Sequence, residues 1–131
     1  MANTTIVHSY AQLSELSMHY VSAGDAGLPV LLLHGFPQTC YEWRDVMPGL
    51  AARHRVVAPD LRGLGQSSRP AAGYAKTRVA EDVWELMHDV LGHARFAVVG
   101  HDWGGPVAYA LAAAHRDAVS HLAILDVMIP G

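Results

Sequence analysis

The residues best placed to do chemistry form one tight run, Gly100-His101-Asp102-Trp103-Gly104-Gly105, which follows the apolar stretch Val98-Val99. The pattern Gly-x-Asp-x-Gly-Gly joins a predicted strand to an alanine-rich predicted helix. A turn this short holds its middle residue in strained backbone geometry, and Gly100 and Gly104 leave room for strand and helix to pack closely. It should set the Asp102 side chain at the carboxyl end of a sheet and the N-terminus of a helix. Free N–H groups and the helix dipole favour an anion there. A carboxylate in that place can attack an electrophilic sp³ carbon with no general base, which a serine hydroxyl would need. Attack would leave an ester on Asp102, and water attacking that ester would build an oxyanion on the enzyme's own side chain. Taken alone, the run also fits an ordinary Asp-capped helix.

The elements that must position this run read as alternating strands and helices. Short apolar runs at 29–33, 55–59, 95–99 and 120–125 predict strands, each bounded by Gly, Pro, Asp, Arg or His. Continuous apolarity, rather than alternation, suits strands buried on both faces of a parallel sheet. A weaker pair at 7–12 and 16–23 predicts an antiparallel entry to the sheet. Between strands, Thr39 and Glu42 have the spacing of a capping box, followed by an apolar stripe of Trp43, Val46, Met47 and Leu50. Pro48 within that stripe should kink or shorten the helix. A second helix is predicted over 77–91, with Val79, Val83, Leu86, Met87 and Val90 inward, Glu81 and Asp82 in its first turn, and Gly92 after its end. A third, over 103–115, is apolar nearly all round and should be buried. The alternation predicts an α/β fold with a mostly parallel, doubly wound sheet.

Composition bounds the function. The 131 residues are 51% hydrophobic, enough for one core and too few for two ordinary domains. A net charge of −3 with no basic face argues against nucleic acid as a partner. Apolar runs such as 30–33 fall far short of the ~20 residues that a membrane-spanning helix needs. The start of the chain lacks the basic and apolar pattern of a signal peptide, and the single Cys40 has no internal disulfide partner. A soluble, cytoplasmic protein is expected. No His-x₃-His or Cys/His cluster suggests a metal, and no cofactor is expected.

Four motifs in order, His34-Gly35-Phe36-Pro37, Tyr41-Glu42-Trp43, Asp60-Leu61-Arg62-Gly63-Leu64-Gly65-Gln66-Ser67 and the 100–105 run, carry a family resemblance. The chain resembles the aspartate-nucleophile branch of the α/β-hydrolases: epoxide hydrolases, haloalkane dehalogenases and fluoroacetate dehalogenases. The resemblance extends over residues 16–131 and implies that 1–131 are the N-terminal part of a single α/β-hydrolase domain. The family's helical cap and C-terminal strands would then lie outside the chain. It implies that the 100–105 run is a nucleophile elbow with Asp102 as nucleophile, and that the backbone N–H groups of Phe36 and Trp103 form the oxyanion hole. Asp126, at the end of Leu122-Ala123-Ile124-Leu125, is expected to orient a histidine base that the family carries near its C-terminus. Other members place that acid after a later strand, and Asp126 also fits a simple strand end. None of the nine histidines present is a good substitute. The His101 side chain should diverge from its neighbour, and His34 should order its own loop. Asp60 and Arg62 are expected to make local hydrogen bonds, Trp43 and Cys40 to pack, and Trp103 either to line a pocket or to pack.

Within the branch, haloalkane dehalogenases usually carry Asn where this chain has Phe36. Fluoroacetate dehalogenases usually carry Arg at the positions of Trp103 and Pro106. His-Gly-Phe-Pro combined with His-Asp-Trp-Gly-Gly is the epoxide-hydrolase combination, which implies a small apolar epoxide as substrate. A haloalkane or haloacetate dehalogenase using the same aspartate is the alternative. A truncated interaction module without turnover is the alternative of another class. The last predicted strand leaves an apolar edge, to be covered by a C-terminal half or by self-association.

Overall fold

Pro29–Leu33 forms the central strand β3, and all five of its residues are buried. A strand covered on both faces has no solvent side to keep polar, which is why its apolarity is continuous. In this computed structural model, which describes residues 4–128, β3 belongs to a six-stranded sheet. The other strands are β1 (Val7–Gln12), β2 (Ser17–Ala23), β4 (Arg55–Pro59), β5 (Phe96–His101) and β6 (Val119–Leu125). Their order is β1-β2-β4-β3-β5-β6. β1 and β2 enter antiparallel, β2 pairs antiparallel with β4, and β4, β3, β5 and β6 run parallel. This is the expected mostly parallel α/β sheet.

Three helices are described: α1 (Met47–Ala51), α2 (Lys76–Trp84) and α3 (Gly104–Ala114). Alternate residues of β3 feed two cores. Leu31 and Leu33 face Val79 and Val83 of α2 and Val107 and Leu111 of α3, whereas Leu32 and Val30 face Cys40, Trp43 and Met47. Helical elements therefore cover both faces of the sheet, and the site loops rest on a rigid centre.

Several local expectations are corrected. The 39–43 segment is a single 3₁₀ turn, Cys40–Trp43, capped by the Thr39 hydroxyl accepting from the Tyr41 N–H. Glu42 does not close the capping box, and its carboxylate is used elsewhere. Pro48 stands at the start of α1, where its missing N–H breaks no bond, so it begins the helix and does not kink it. α2 starts at Lys76, one residue before the predicted start, and Glu81 and Asp82 lie in its second turn, not its first. From Glu85 to Val90 the helix widens into a π turn. The wider turn moves the apolar stripe off register, and Val90 is left 46% exposed. α3 buries one face, through Gly104, Gly105, Val107, Ala108 and Leu111, while Tyr109 is exposed, so it is not buried all round. β6 forms an edge with Leu122 and Leu125 exposed. No helix among the described residues is long and apolar enough to cross a membrane.

In the loop after β4, Asp60 makes the local bond expected by accepting the Gln66 N–H at 2.8 Å, but Arg62 is held over long range. Arg62 is buried and its guanidinium makes two 2.8 Å hydrogen bonds to the Asp82 carboxylate on α2. A third bond, 2.7 Å, reaches Glu15, and a fourth the Ala72 carbonyl. Breaking a buried pair from one side leaves an uncompensated charge. Asp82→Ala in the full-length protein should therefore cost about 3 kcal/mol of stability, read from the urea unfolding midpoint. A loss below about 1 kcal/mol would show that Glu15 and solvent suffice for Arg62.

Candidate active site

β4 and β5 flank β3 on opposite sides, so the chain leaves β3 in one direction and returns on the other. At such a reversal the loops beyond the carboxyl ends of the strands part and leave a crevice. The loop after β3 carries Gly35 and Phe36, and the turn after β5 carries Asp102 and Trp103. Asp102 has φ of +53°, a left-handed backbone that a non-glycine residue adopts at a cost. A Cβ on Gly100 would overlap the Gly104 carbonyl oxygen, and one on Gly104 would overlap the Leu33 carbonyl oxygen. Both glycines thus occupy the close approach expected of an elbow. Gly35 meets the same limit, since a Cβ there would lie 2.5 Å from the Asp102 Cβ.

The Phe36 N–H donates to Asp102 Oδ2 at 3.1 Å. That bond and a second from the Trp103 N–H hold the carboxyl below the usual carboxylate range, aided by the charges of His101 and Lys76. Asp102 is therefore ionised at neutral pH. The structure brings Asp102, Phe36 and Trp103 together as the sequence suggests. Asp126 lies next to this group, because the Asp102 N–H donates to the Leu125 carbonyl at 3.1 Å. Its own φ is +54° and its side chain is 87% exposed. Oδ2 of Asp126 stands 3.9 Å from His101 Nε2.

Phe36 and Trp103 stack with ring centroids 4.9 Å apart, and both are half exposed. They open onto a pocket of about 320 Å³, walled further by Leu64, Pro70, Tyr74 and Lys76. Trp103 thus lines the pocket. The Lys76 ammonium lies 3.9 Å from the centre of the Trp103 ring. No periodic signal marks Lys76 in the sequence, since it precedes the first inward residue of α2.

Glu42 also stands in a place that its sequence spacing does not suggest. Its Oε1 accepts the Gly35 N–H at 3.0 Å, one residue before the Phe36 donor. Its Oε2 lies 2.9 Å from His101 Nδ1, a close approach without an aligned hydrogen bond. His101 diverges from Asp102 as expected, and Trp43 meets it edge-on at 6.5 Å. Glu42 thereby fastens the β3 loop to the elbow. His34 is buried, with Nε2 accepting the Leu61 N–H at 2.9 Å and Nδ1 2.8 Å from the Gly35 carbonyl. Burial lowers its pKa, and the neutral ring orders the loop.

His19, Cys40 and Asp60 converge, with potential ligand atoms within 4.8 Å of one another. No spacing in the sequence marks this Cys/His cluster, because its members come from β2 and two separate loops. Asp60 sits 2.7 Å from His19 Nδ1 and accepts the N–H groups of Cys40 and Gln66, each at 2.8 Å. Burial would raise the Asp60 pKa, but these bonds outweigh it and hold the carboxyl below its usual range. Burial and Asp60 push the Cys40 thiol up to about 12. The carboxylate is already filled with donors, and the three groups make a buried network that ties β2 to the loops after β3 and β4.

If Glu42 fixes the β3 loop, Glu42→Ala in the full-length protein should speed hydrogen exchange at the Gly35 and Phe36 amides about tenfold. Unchanged protection at both amides would mean that the loop is held by His34 alone.

Residues 29–130 match the family described as alpha/beta hydrolase fold. The chain is 52% identical over 129 residues to the soluble epoxide hydrolase of Corynebacterium sp. (strain C12), covering 98% of this chain and 44% of that protein. It is 46% identical over 110 residues to a fluoroacetate dehalogenase of Burkholderia sp, covering 80% of this chain and 36% of that protein. The solved structure of epoxide hydrolase CorEH without ligand superposes with a TM-score of 0.90 at 51% identity, over 93% of this chain and 42% of that one. The chain thus spans less than half the length of these relatives. The family match, the strand order and the elbow agree: this chain belongs to the α/β-hydrolase fold family.

Proposed function

We propose that the full-length protein is a hydrolase that opens epoxides to diols through a covalent ester on Asp102. The observation that carries this reading is an ionised carboxylate on a strained turn, met by the N–H groups of Phe36 and Trp103. Similarity to epoxide hydrolases at 52% identity supports the substrate class. In the first step a carboxylate oxygen of Asp102 forms a bond to an epoxide carbon, the ring C–O bond breaks, and the ring oxygen takes a proton from an acid beyond the described residues. In the second step water attacks the Asp102 carbonyl carbon as a histidine, also beyond them, takes its proton. The Phe36 and Trp103 N–H groups stabilise the oxyanion that forms there. Collapse breaks the ester C–O bond, and the protonated histidine gives its proton to the departing diol oxygen. The acid proton left on Asp102 returns to the acid of the first step, which restores the carboxylate. Asp126 orients the histidine, and the remaining length of the protein supplies the cap and pairs with the β6 edge.

The stacked Phe36 and Trp103 rings and the pocket walled by Leu64 and Pro70 suit a small apolar substrate. The single Cys40, with its thiol pushed up to about 12, suits a reducing cytoplasm. Identity to a fluoroacetate dehalogenase favours a second reading with the same nucleophile. Against it, Trp103 and Pro106 cannot clamp a carboxylate as paired arginines would. A module without turnover would have no reason to keep the strain at Asp102.

Rapid-quench mass analysis of the full-length Asp126→Asn variant with an aryl epoxide tests the reading. Ester formation should proceed while its hydrolysis slows at least a hundredfold, so that adduct accumulates on the Asp102 peptide. Diol formation with wild-type kinetics in that variant would remove Asp126 from the mechanism. Diol formation by Asp102→Ala would remove the ester.

A further inference from the structure

Asp102 does not carry the same charge throughout the proposed reaction. It is an anion in the free enzyme, neutral as the ester, and again bears a negative charge in the tetrahedral intermediate of hydrolysis. A fixed cation nearby therefore acts differently on the two steps. Lys76 is the first residue of α2, partly buried at the pocket wall, with its ammonium 3.9 Å from the centre of the Trp103 ring. The indole face attracts a cation and restricts where the lysine chain places it. Trp103 is also the residue whose N–H meets the Asp102 carboxylate, so the ring that holds Lys76 is anchored at the nucleophile itself. Burial lowers the Lys76 pKa, and the Asp102 charge opposes that fall. The same attraction acts in return on Asp102.

We infer that Lys76, held on the face of Trp103, is an electrostatic positioning residue that favours hydrolysis of the Asp102 ester over its formation. The inference rests on the covalent reading above. In ester formation the negative charge leaves Asp102 and passes, through the ring oxygen, to the acid that protonates it, and Lys76 loses its nearby partner. Its attraction stabilises the starting carboxylate and gives that step no help at Asp102. In ester hydrolysis the charge returns to the Asp102 oxygen, and the ammonium stabilises the developing oxyanion together with the two N–H groups. Lys76 is only partly buried and Asp102 is open to the pocket, so solvent weakens this attraction without abolishing it. Lys76 makes no bond to substrate in this account and exchanges no proton with it. Its effect is to keep the ester from accumulating.

Single-turnover kinetics with full-length enzyme in excess over an aryl epoxide separates the steps. Substrate loss reads ester formation, and diol appearance reads hydrolysis. Lys76→Met should slow hydrolysis roughly tenfold while leaving ester formation unchanged or faster, so that adduct becomes visible on the Asp102 peptide. The pH at which ester formation is lost on acidification should rise in Lys76→Met, because Asp102 loses a neighbouring cation. Lys76→Arg should restore both the partition and the pH profile, since a guanidinium also stacks on an indole. Equal slowing of both steps in Lys76→Met would reveal a merely structural role and overturn the inference, as would unchanged kinetics. If the wild-type enzyme forms no ester at all, the covalent reading itself fails, an outcome distinct from either of these.

Discussion

A Cβ at Gly104 would overlap the Leu33 carbonyl oxygen, and a Cβ at Gly100 would overlap the Gly104 carbonyl oxygen. Without those two side chains, β5 and α3 can press against β3, and the residue between them has no choice but a left-handed backbone. That residue is Asp102, with φ of +53°. The close approach also brings the β3 loop within a hydrogen bond of the carboxylate, through Phe36 at 3.1 Å. Gly35 extends the same constraint to the facing loop, where any side chain would strike Asp102. The site is thus a consequence of how closely three backbone segments meet, and its two donors are backbone groups for the same reason.

Such a meeting point needs loops that do not drift, and buried polar groups hold them. His34 receives the Leu61 N–H and faces the Gly35 carbonyl, which couples the β3 loop to the β4 loop. Asp60 gathers His19, Cys40 and Gln66, and Arg62 grips Asp82 on α2. Each buried polar group here has partners that offset its desolvation. The β4 loop is in turn a wall of the pocket, so these bonds shape the space beside Asp102. Glu42 completes the frame by tying Gly35 to the elbow through His101.

Much of this was legible in the sequence because it is written locally. Apolar runs without alternation mark strands buried on two faces, and the observed bounds of β3 and β4, Pro29–Leu33 and Arg55–Pro59, coincide with those runs. Gly100, Asp102 and Gly104 mark the elbow only together with the other three motifs, since their spacing alone also fits an Asp-capped helix. Long-range polar pairing is not written locally. Glu42 has the spacing of a capping box, but the Gly35 N–H is a stronger competitor for its carboxylate than its own turn. Asp82 falls in the second turn of α2 whether Lys76 or Thr77 begins the helix, and only the fold shows it beneath Arg62. Val90 fits a regular helical stripe and fails because the helix widens at Glu85. Lys76 has no pattern of its own, and its place depends on Trp103 turning its ring toward the pocket.

The central claim is that Asp102 is bonded to the substrate and that water then attacks Asp102. A single turnover of the full-length enzyme in heavy-oxygen water, with enzyme in excess over epoxide, tests this most directly. The account predicts one heavy oxygen on the Asp102 peptide and an unlabelled diol, because the oxygen added to the substrate comes from the carboxylate. Label in the diol with none on Asp102 would contradict it, and would mean that water attacks the epoxide itself.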